Sequence, residues 1–145
     1  MKVSTKGRYA VRVMLDLAMH NTGEYIPLKE ISARQNITVK YLEQIIGMLN
    51  RAGMLNSLRG NNGGYRLAKA PEEYTIGDVL RITEGNVSLA PCIDEGNQDC
   101  ERRSGCVACS FWTGLDKVIN DYIDSYTLAD LMKRAEENDW DYYVI

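Results

Sequence analysis

Apolar residues recur at three- and four-residue spacing near the start of the chain, with Tyr9, Val13 and Leu17 on one line and Val11, Met14, Leu15 and Ala18 beside it. That period matches the turn of an α-helix, so a first helix is expected from Ser4 to about Asn21, ended by Thr22-Gly23. Pro27 suits the first position of a short second helix carrying Leu28 and Ile31, which stops near Gln35-Asn36. Thr38 then suits the N-cap of a third helix running to Ala52. Ile37 and Leu42 are placed to close a hydrophobic staple, and Gly53 can take the left-handed position after the last turn. This third helix buries Leu42, Ile45, Ile46 and Leu49 and leaves Lys40, Tyr41, Glu43, Gln44 and Arg51 largely free. Short helix, tight turn and capped helix make a helix-turn-helix.

Two strand candidates follow, Met54 to Leu58 and Tyr65 to Leu67, around the segment Arg59-Gly60-Asn61-Asn62-Gly63-Gly64. Their pattern is a hairpin with a flexible basic tip. A glycine-rich loop can also cradle a phosphate, but this one lacks the Lys-Ser/Thr ending and no helix follows it. After a helix-turn-helix, such a hairpin is a wing. The expected fold is therefore mainly α, a winged helix-turn-helix. Thr75, with Asp78 in the capping-box position, opens another helix over Ile76 to Glu84, and Gly85 closes it. Further on, Phe111, Trp112, Leu115, Val118, Ile119, Tyr122 and Ile123 form an apolar stripe bordered by Asp116, Lys117, Asn120 and Asp121. A stripe of this kind packs either on its own domain or on a copy of itself. Because the N-terminal domain already has a core, pairing into a homodimer is expected. Thr127 starts a last short helix to about Glu137, and the aromatic tail from Trp140 to Ile145 packs on the body or across the dimer. The organisation expected is a DNA-binding domain over residues 1–84, a cysteine-rich loop over 85–109, and a dimerisation helix with its tail over 110–145.

The net charge of −3 conceals a division between the halves. Residues 1–70 hold eleven Lys and Arg against four acids, a balance of +7, whereas residues 71–145 hold six against sixteen, a balance of −10. A basic half beside an acidic one is either a solvated face or the footprint of a nucleic-acid binder, whose contact with a polyanion releases counterions. The helix-turn-helix and wing favour double-stranded DNA. On that reading the candidate DNA-binding residues are Lys6, Thr38, Lys40, Tyr41, Glu43, Gln44, Arg59 and Gly60. Arg59 at the wing edge suits a narrow minor groove, where negative potential concentrates. Glu43 facing phosphates is repelled unless it accepts a hydrogen bond such as that from cytosine N4, which makes it a candidate for rejecting wrong sites. The lone His20, near the end of the first helix, reads as structural or surface.

All four cysteines, Cys92, Cys100, Cys106 and Cys109, fall in one polar stretch with spacing C-x7-C-x5-C-x2-C, among Asp94, Glu95, Asp99, Glu101, Arg102 and Arg103. Core cysteines would have apolar neighbours, so a metal or iron-sulfur site is the leading reading. The N-terminus lacks the unbroken apolar stretch of a signal peptide, and no segment has the length of a membrane span, so a cytoplasmic protein without membrane contact is expected. In a reducing compartment thiolate ligands are favoured over structural disulfides. Thiolates suit zinc as well as iron-sulfur clusters. However, zinc ribbons generally present two C-x2-C knuckles, and only Cys106 and Cys109 have that spacing here. A thiol oxidoreductase would need that pair at a helix start within a βαβ pattern, and no such strands are visible. No enzyme is expected.

The segments S-T-K-G-R-Y-A at residues 4–10, Y-L-E-Q at 41–44 and R-G-x-x-G-G-Y at 59–65, followed by the cysteines at C-x7-C-x5-C, resemble the IscR-like transcription regulators. This family includes IscR-type, CymR-type and NsrR-type branches, and the resemblance covers nearly the whole chain. It implies a dimeric repressor or dual regulator that binds a roughly palindromic operator and whose DNA affinity or site choice depends on a cluster. Iron-sulfur cluster assembly genes are the implied targets. In such relatives the position three after the last shared cysteine can be a histidine ligand. Cys109 stands there in this chain, and an all-cysteine set follows as the simplest expectation. The nitric-oxide-sensing branch is associated with an acidic ligand near the N-terminus from the partner subunit. This chain has Arg8 at that place, which favours a 2Fe-2S cluster over 4Fe-4S. A CymR-like regulator of cysteine metabolism is the alternative, although relatives of that branch do not need the cysteine loop. A zinc-stabilised winged helix is another.

Overall fold

The computed structural model describes residues 2–94 and 100–138. Helix α1 (Thr5–Met19) is central, touching most of the other elements, and its face of Ala10, Val13, Met14, Leu17 and Ala18 is buried. The Ser4 hydroxyl caps it by accepting from Gly7 N at 3.1 Å. Helices α2 (Leu28–Gln35) and α3 (Val39–Arg51) follow. Pro27 stands at the N-cap of α2, one place before the helical position expected of it. The tight turn is made by Asn36, left-handed at φ 53° and ψ 47°, a conformation that Asn tolerates better than most residues. Thr38 caps α3 by accepting from Tyr41 N at 3.3 Å, and Ile37 and Leu42 on either side of the cap are both buried. Leu42, Ile45, Ile46 and Leu49 are enclosed as the periodicity predicts. Each such aliphatic side chain contributes about 1.5–3 kcal/mol by leaving water. Gly53, at φ 79°, ends the helix-turn-helix.

Strands β1 (Leu55–Leu58) and β2 (Gly64–Leu67) pair antiparallel with Leu55 opposite Leu67 and Leu58 opposite Gly64. The hairpin begins at Leu55 rather than Met54, whose N donates to Leu49 O at 3.0 Å and so closes the end of α3. Ile26 adds a bridge to its far edge, donating to Tyr65 O at 2.8 Å and accepting from Tyr65 N at 2.9 Å. This approach requires a glycine at Gly64: its φ is 153°, and a Cβ there would lie 2.1 Å from Ile26 O. The buried Tyr74 hydroxyl fastens the wing base, donating to Met54 O at 2.7 Å and accepting from Lys69 N at 2.8 Å.

Helices α4 (Ile76–Glu84), α5 (Val107–Ser125) and α6 (Leu128–Glu137) complete the fold. Thr75 with Asp78, and Thr127 with Asp130, form capping boxes at the starts of α4 and α6. The two starts lie side by side, with Ile76 N donating to Tyr126 O at 2.9 Å and Leu128 N to Tyr74 O at 3.0 Å. The chain therefore returns after α5, and α6 packs on α1 with Leu128 fully buried in the shared core. The tail from Trp140 to Ile145 lies outside the described residues, as do Glu95 to Asp99 of the cysteine segment.

Candidate nucleic-acid interface and cysteine site

What fixes the helix-turn-helix on α1 is a buried polar network. Asp16 is wholly inaccessible within an apolar run of α1, yet none of its hydrogen-bonding capacity is stranded. Arg34 holds it bidentately, Nε to Oδ2 at 3.0 Å and Nη2 to Oδ1 at 2.8 Å, and Gln35 Nε2 donates to Oδ2 at 2.8 Å. Arg12 in turn donates to Gln35 Oε1 at 3.1 Å and to the Gln35 carbonyl. The carboxylate raises the pKa of the Arg34 guanidinium, chiefly through their hydrogen bonds. Two successive side chains at the end of α2 are thus locked to α1, and α3 follows after a single turn. His20, the C-cap of α1, places Nδ1 at 2.9 Å from Asp16 O, in the structural role expected of it.

Thr38, Lys40, Glu43 and Gln44 lie exposed on the first turns of α3, and Arg59 and Gly60 lie exposed at the wing tip. Lys6 is half-buried in the first turn of α1. Tyr41 is less free than the sequence suggests. It is half-buried against the core, and its ring meets that of Tyr9 edge-on at 5.9 Å. Val39 is 39% exposed and Leu58 48%, so the presented surface also carries apolar patches. A helix that projects a cation, a carboxylate and an amide at three- and four-residue spacing fits a major groove about 12 Å wide, with the wing beside it.

Three of the cysteines lie at a short turn and at the start of a long helix, and the fourth stands between them. Cys92 is half-buried in a 3₁₀ turn at Pro91–Ile93, Cys106 is the N-cap of α5, and Cys109 is buried within the first turn of that helix. Cys100 is exposed. The stretch is therefore not uniformly exposed, and the last two cysteines belong to a helix start rather than to a loop. Desolvation, followed by the charge and hydrogen bond of the adjacent Cys109 and the charge of Cys100, raises the pKa of the Cys92 thiol. Those causes put Cys92 beside Cys109 and within electrostatic reach of Cys100. Among the described residues no three His, Cys, Asp or Glu side chains are gathered closely enough to hold an ion. The donor chemistry nevertheless fits a soft metal or iron-sulfur group. All four thiols are free, and among the described residues no side chain caps the first amides of α5.

Among the described residues nothing covers the outer face of α5. Val107 is 85% exposed, Phe111 64%, Val118 64% and Tyr122 59%, a continuous stripe, whereas Ile119 and Ile123 turn partly inward on the side facing α4. That inner side is fastened by Arg81 of α4, which grips Asp124 at 2.7 and 2.9 Å and Asn120 Oδ1 at 2.9 Å. The contact is close enough that a Cβ at Gly77 would fall 2.0 Å from Asp124 Oδ1. Neither this clamp nor the Asp16 network was anticipated from the sequence. For Asp16 a signal existed, a lone acid amid buried positions of an apolar run, which demands a partner.

A helix-turn-helix braced on a central helix, followed by a basic wing, defines a DNA-binding transcription regulator of the winged-helix class. The chain belongs to the Rrf2 family, described as iron-dependent transcriptional regulators, whose family model matches residues 3–134. It is 40% identical over 136 residues to the HTH-type transcriptional regulator IscR of Vibrio campbellii, covering 94% of this chain and 80% of that one. Among solved structures it resembles T. potens IscR, with a TM-score of 0.76 and 40% identity over 95% of this chain and 90% of the other. It also resembles CymR, the global cysteine regulator of B. subtilis, with a TM-score of 0.77 and 34% identity over 92% and 98%. The relatives are named as regulators, not enzymes, and no described helix is long and apolar enough to cross a membrane.

Proposed function

We propose that this regulator is a cytoplasmic homodimer that binds a palindromic operator and reads iron-sulfur status through a 2Fe-2S cluster held by Cys92, Cys100, Cys106 and Cys109, with iron-sulfur assembly genes among its targets. The observation that carries this reading is the position of the cysteines. Cys92 lies in a short turn, and Cys106 and Cys109 lie at the start of α5, the helix that also bears the exposed apolar stripe and is clamped to α4. A cluster ligated there supplies a redox-active, oxygen-labile iron centre whose potential follows its ligands and surroundings. The residues of the chain do the rest. Cys92 and Cys109 join the turn to α5, the stripe from Val107 to Tyr122 pairs two copies, and the two copies of α3 read half-sites spaced by helical turns. Within each half-site Lys6, Thr38, Lys40, Tyr41, Gln44 and the Gly60 backbone position the protein on phosphates and bases. Glu43 rejects wrong bases, and Arg59 enters the minor groove.

The fold similarity to the cysteine regulator of B. subtilis favours one second reading, a regulator of cysteine supply that binds no cluster. Anaerobic purification with a visible absorption spectrum and iron, sulfide and zinc analysis separates the two. Two iron and two sulfide per chain are expected. A colourless protein, or one equivalent of zinc, sinks the cluster-sensing reading.

A further inference from the structure

We propose that Asp116 and Asn120 of α5 are the residues that carry the state of the cysteine segment to the DNA-binding domain. The inference deepens the cluster-sensing reading and rests on it. Two sets of directed hydrogen bonds, joined through the backbone of α4, run between the two regions. Leu89 N, three residues before Cys92, donates to Asp116 Oδ1 at 3.0 Å, linking the segment that leads into the cysteine turn to α5. Asn120 Nδ2 donates to Asp116 Oδ2 at 3.2 Å and to Asp116 O at 2.9 Å, and its Oδ1 accepts from Arg81 Nη2 at 2.9 Å. Arg81 lies on α4 and is forked onto Asp124. One turn further along α4, Glu84 Oε1 accepts from Ser4 N at 2.9 Å and from the Ser4 hydroxyl. Ser4 is the N-cap of α1, the helix against which α2, α3 and β2 are packed.

The chemistry gives this line a direction. Asn120 stands between a carboxylate and a guanidinium, so its amide has one favourable orientation, NH₂ toward Asp116 and oxygen toward Arg81. Reversing it would set donor against donor at one end and acceptor against acceptor at the other. A displacement of the segment around Leu89 is therefore transmitted to Arg81 as a change in position rather than absorbed by a flip. The clamp lies partly in solvent, with Arg81 37% and Asp124 43% exposed, and pairs of that kind add little to global stability. Interactions of small stability value that join two packed units suit coupling better than bracing.

The test uses the full chain, anaerobically reconstituted with ferrous iron and sulfide or left cluster-free, against an operator selected by the wild-type protein from a random library. For the wild type the two forms are expected to differ in operator Kd by about 5–150-fold. Asp116→Ala and Asn120→Ala should each bring that ratio to within about two-fold of unity with the visible spectrum unchanged, and the double variant should go no further. Asp116→Asn keeps an oxygen for Leu89 N but sets donor against donor at Asn120 Nδ2, so it too should lose most of the ratio. Amide hydrogen exchange supplies a readout without DNA. Cluster loading should alter exchange in both residues 87–93 and 4–8 of the wild type, but only in residues 87–93 of Asp116→Ala. Wild-type coupling in both alanine variants, or exchange changes that still reach residues 4–8, overturns the relay. If Asp116→Ala fails to take up the cluster, Asn120→Ala, a turn further from the cysteines, decides. A loaded wild type that binds DNA no differently from the cluster-free form removes the sensing reading itself, and the relay with it.

Discussion

Replacing Asp16 with alanine probes the bracing of the helix-turn-helix on α1. The side chain is 0% exposed and accepts two hydrogen bonds from Arg34 and one from Gln35, at 2.8–3.0 Å. Its loss affects the two donors unequally. Arg34 is 30% exposed and can turn its guanidinium to water, whereas Gln35 is 1% exposed and its amide loses a partner it cannot replace. A stranded buried amide costs about 1–3 kcal/mol, and breaking a fully buried ion pair costs about 3–5 kcal/mol. With one partner able to rehydrate, the lower end of the second range applies, a loss of about 3 kcal/mol. For a chain of this size that lowers Tm by about 10 °C. Arg34→Met should be at least as damaging, because it leaves the inaccessible carboxylate without its cation. The assay is urea denaturation followed by circular dichroism at fixed protomer concentration, since dimerisation links stability to concentration. A stability for Asp16→Ala within about 1 kcal/mol of wild type at unchanged m would refute the bracing.

Four further outcomes follow from the same geometry. Glu43→Ala should relax sequence choice by about 1–3 kcal/mol at one base pair, read from an operator library, and an unchanged preference removes Glu43 from base readout. Arg59→Ala should weaken binding and lower the slope of log K against log salt by about one unit, and an unaltered slope takes Arg59 out of the interface. Val118→Glu, in the exposed stripe of α5, should give a folded monomer by sedimentation, because a charge would be buried unpaired between the copies. A dimer of wild-type affinity would place the interface elsewhere. The hydrogen bonds from Arg81 hold Asp124 below the usual carboxylate range. Because its folded-state pKa is depressed, its contribution is complete above the unfolded pKa of about 4 and is lost as pH falls through the lower folded value. Urea midpoints should therefore drop less below about pH 4 in Asp124→Asn than in wild type, and parallel profiles would contradict the clamp.

The DNA-reading half was legible because each of its elements is specified locally. Thr38, Asn36 and Gly53 mark helix ends by their own backbone and capping chemistry, and Leu42, Ile45, Ile46 and Leu49 mark a buried face by spacing alone. Offsets arose at element boundaries, as where Met54 N closes the end of α3 instead of joining the strand. The cysteine spacing was equally plain, but its placement was not. That Cys109 is buried in a helix turn depends on α5 starting at Val107, and the polar residues around it gave no period to read. Contacts distant in sequence stayed hidden. Ser4 and Glu84, Arg81 and Asp124, and Leu128 against α1 join residues whose pairing no local pattern encodes.

The claim that the cysteine site governs DNA reading is tested most directly by titrating one selected operator with cluster-loaded and cluster-free protein under anaerobic conditions at a single salt concentration. Kd values should differ by at least about five-fold. Superimposable titrations from a protein shown by its spectrum and iron content to carry the cluster would contradict it.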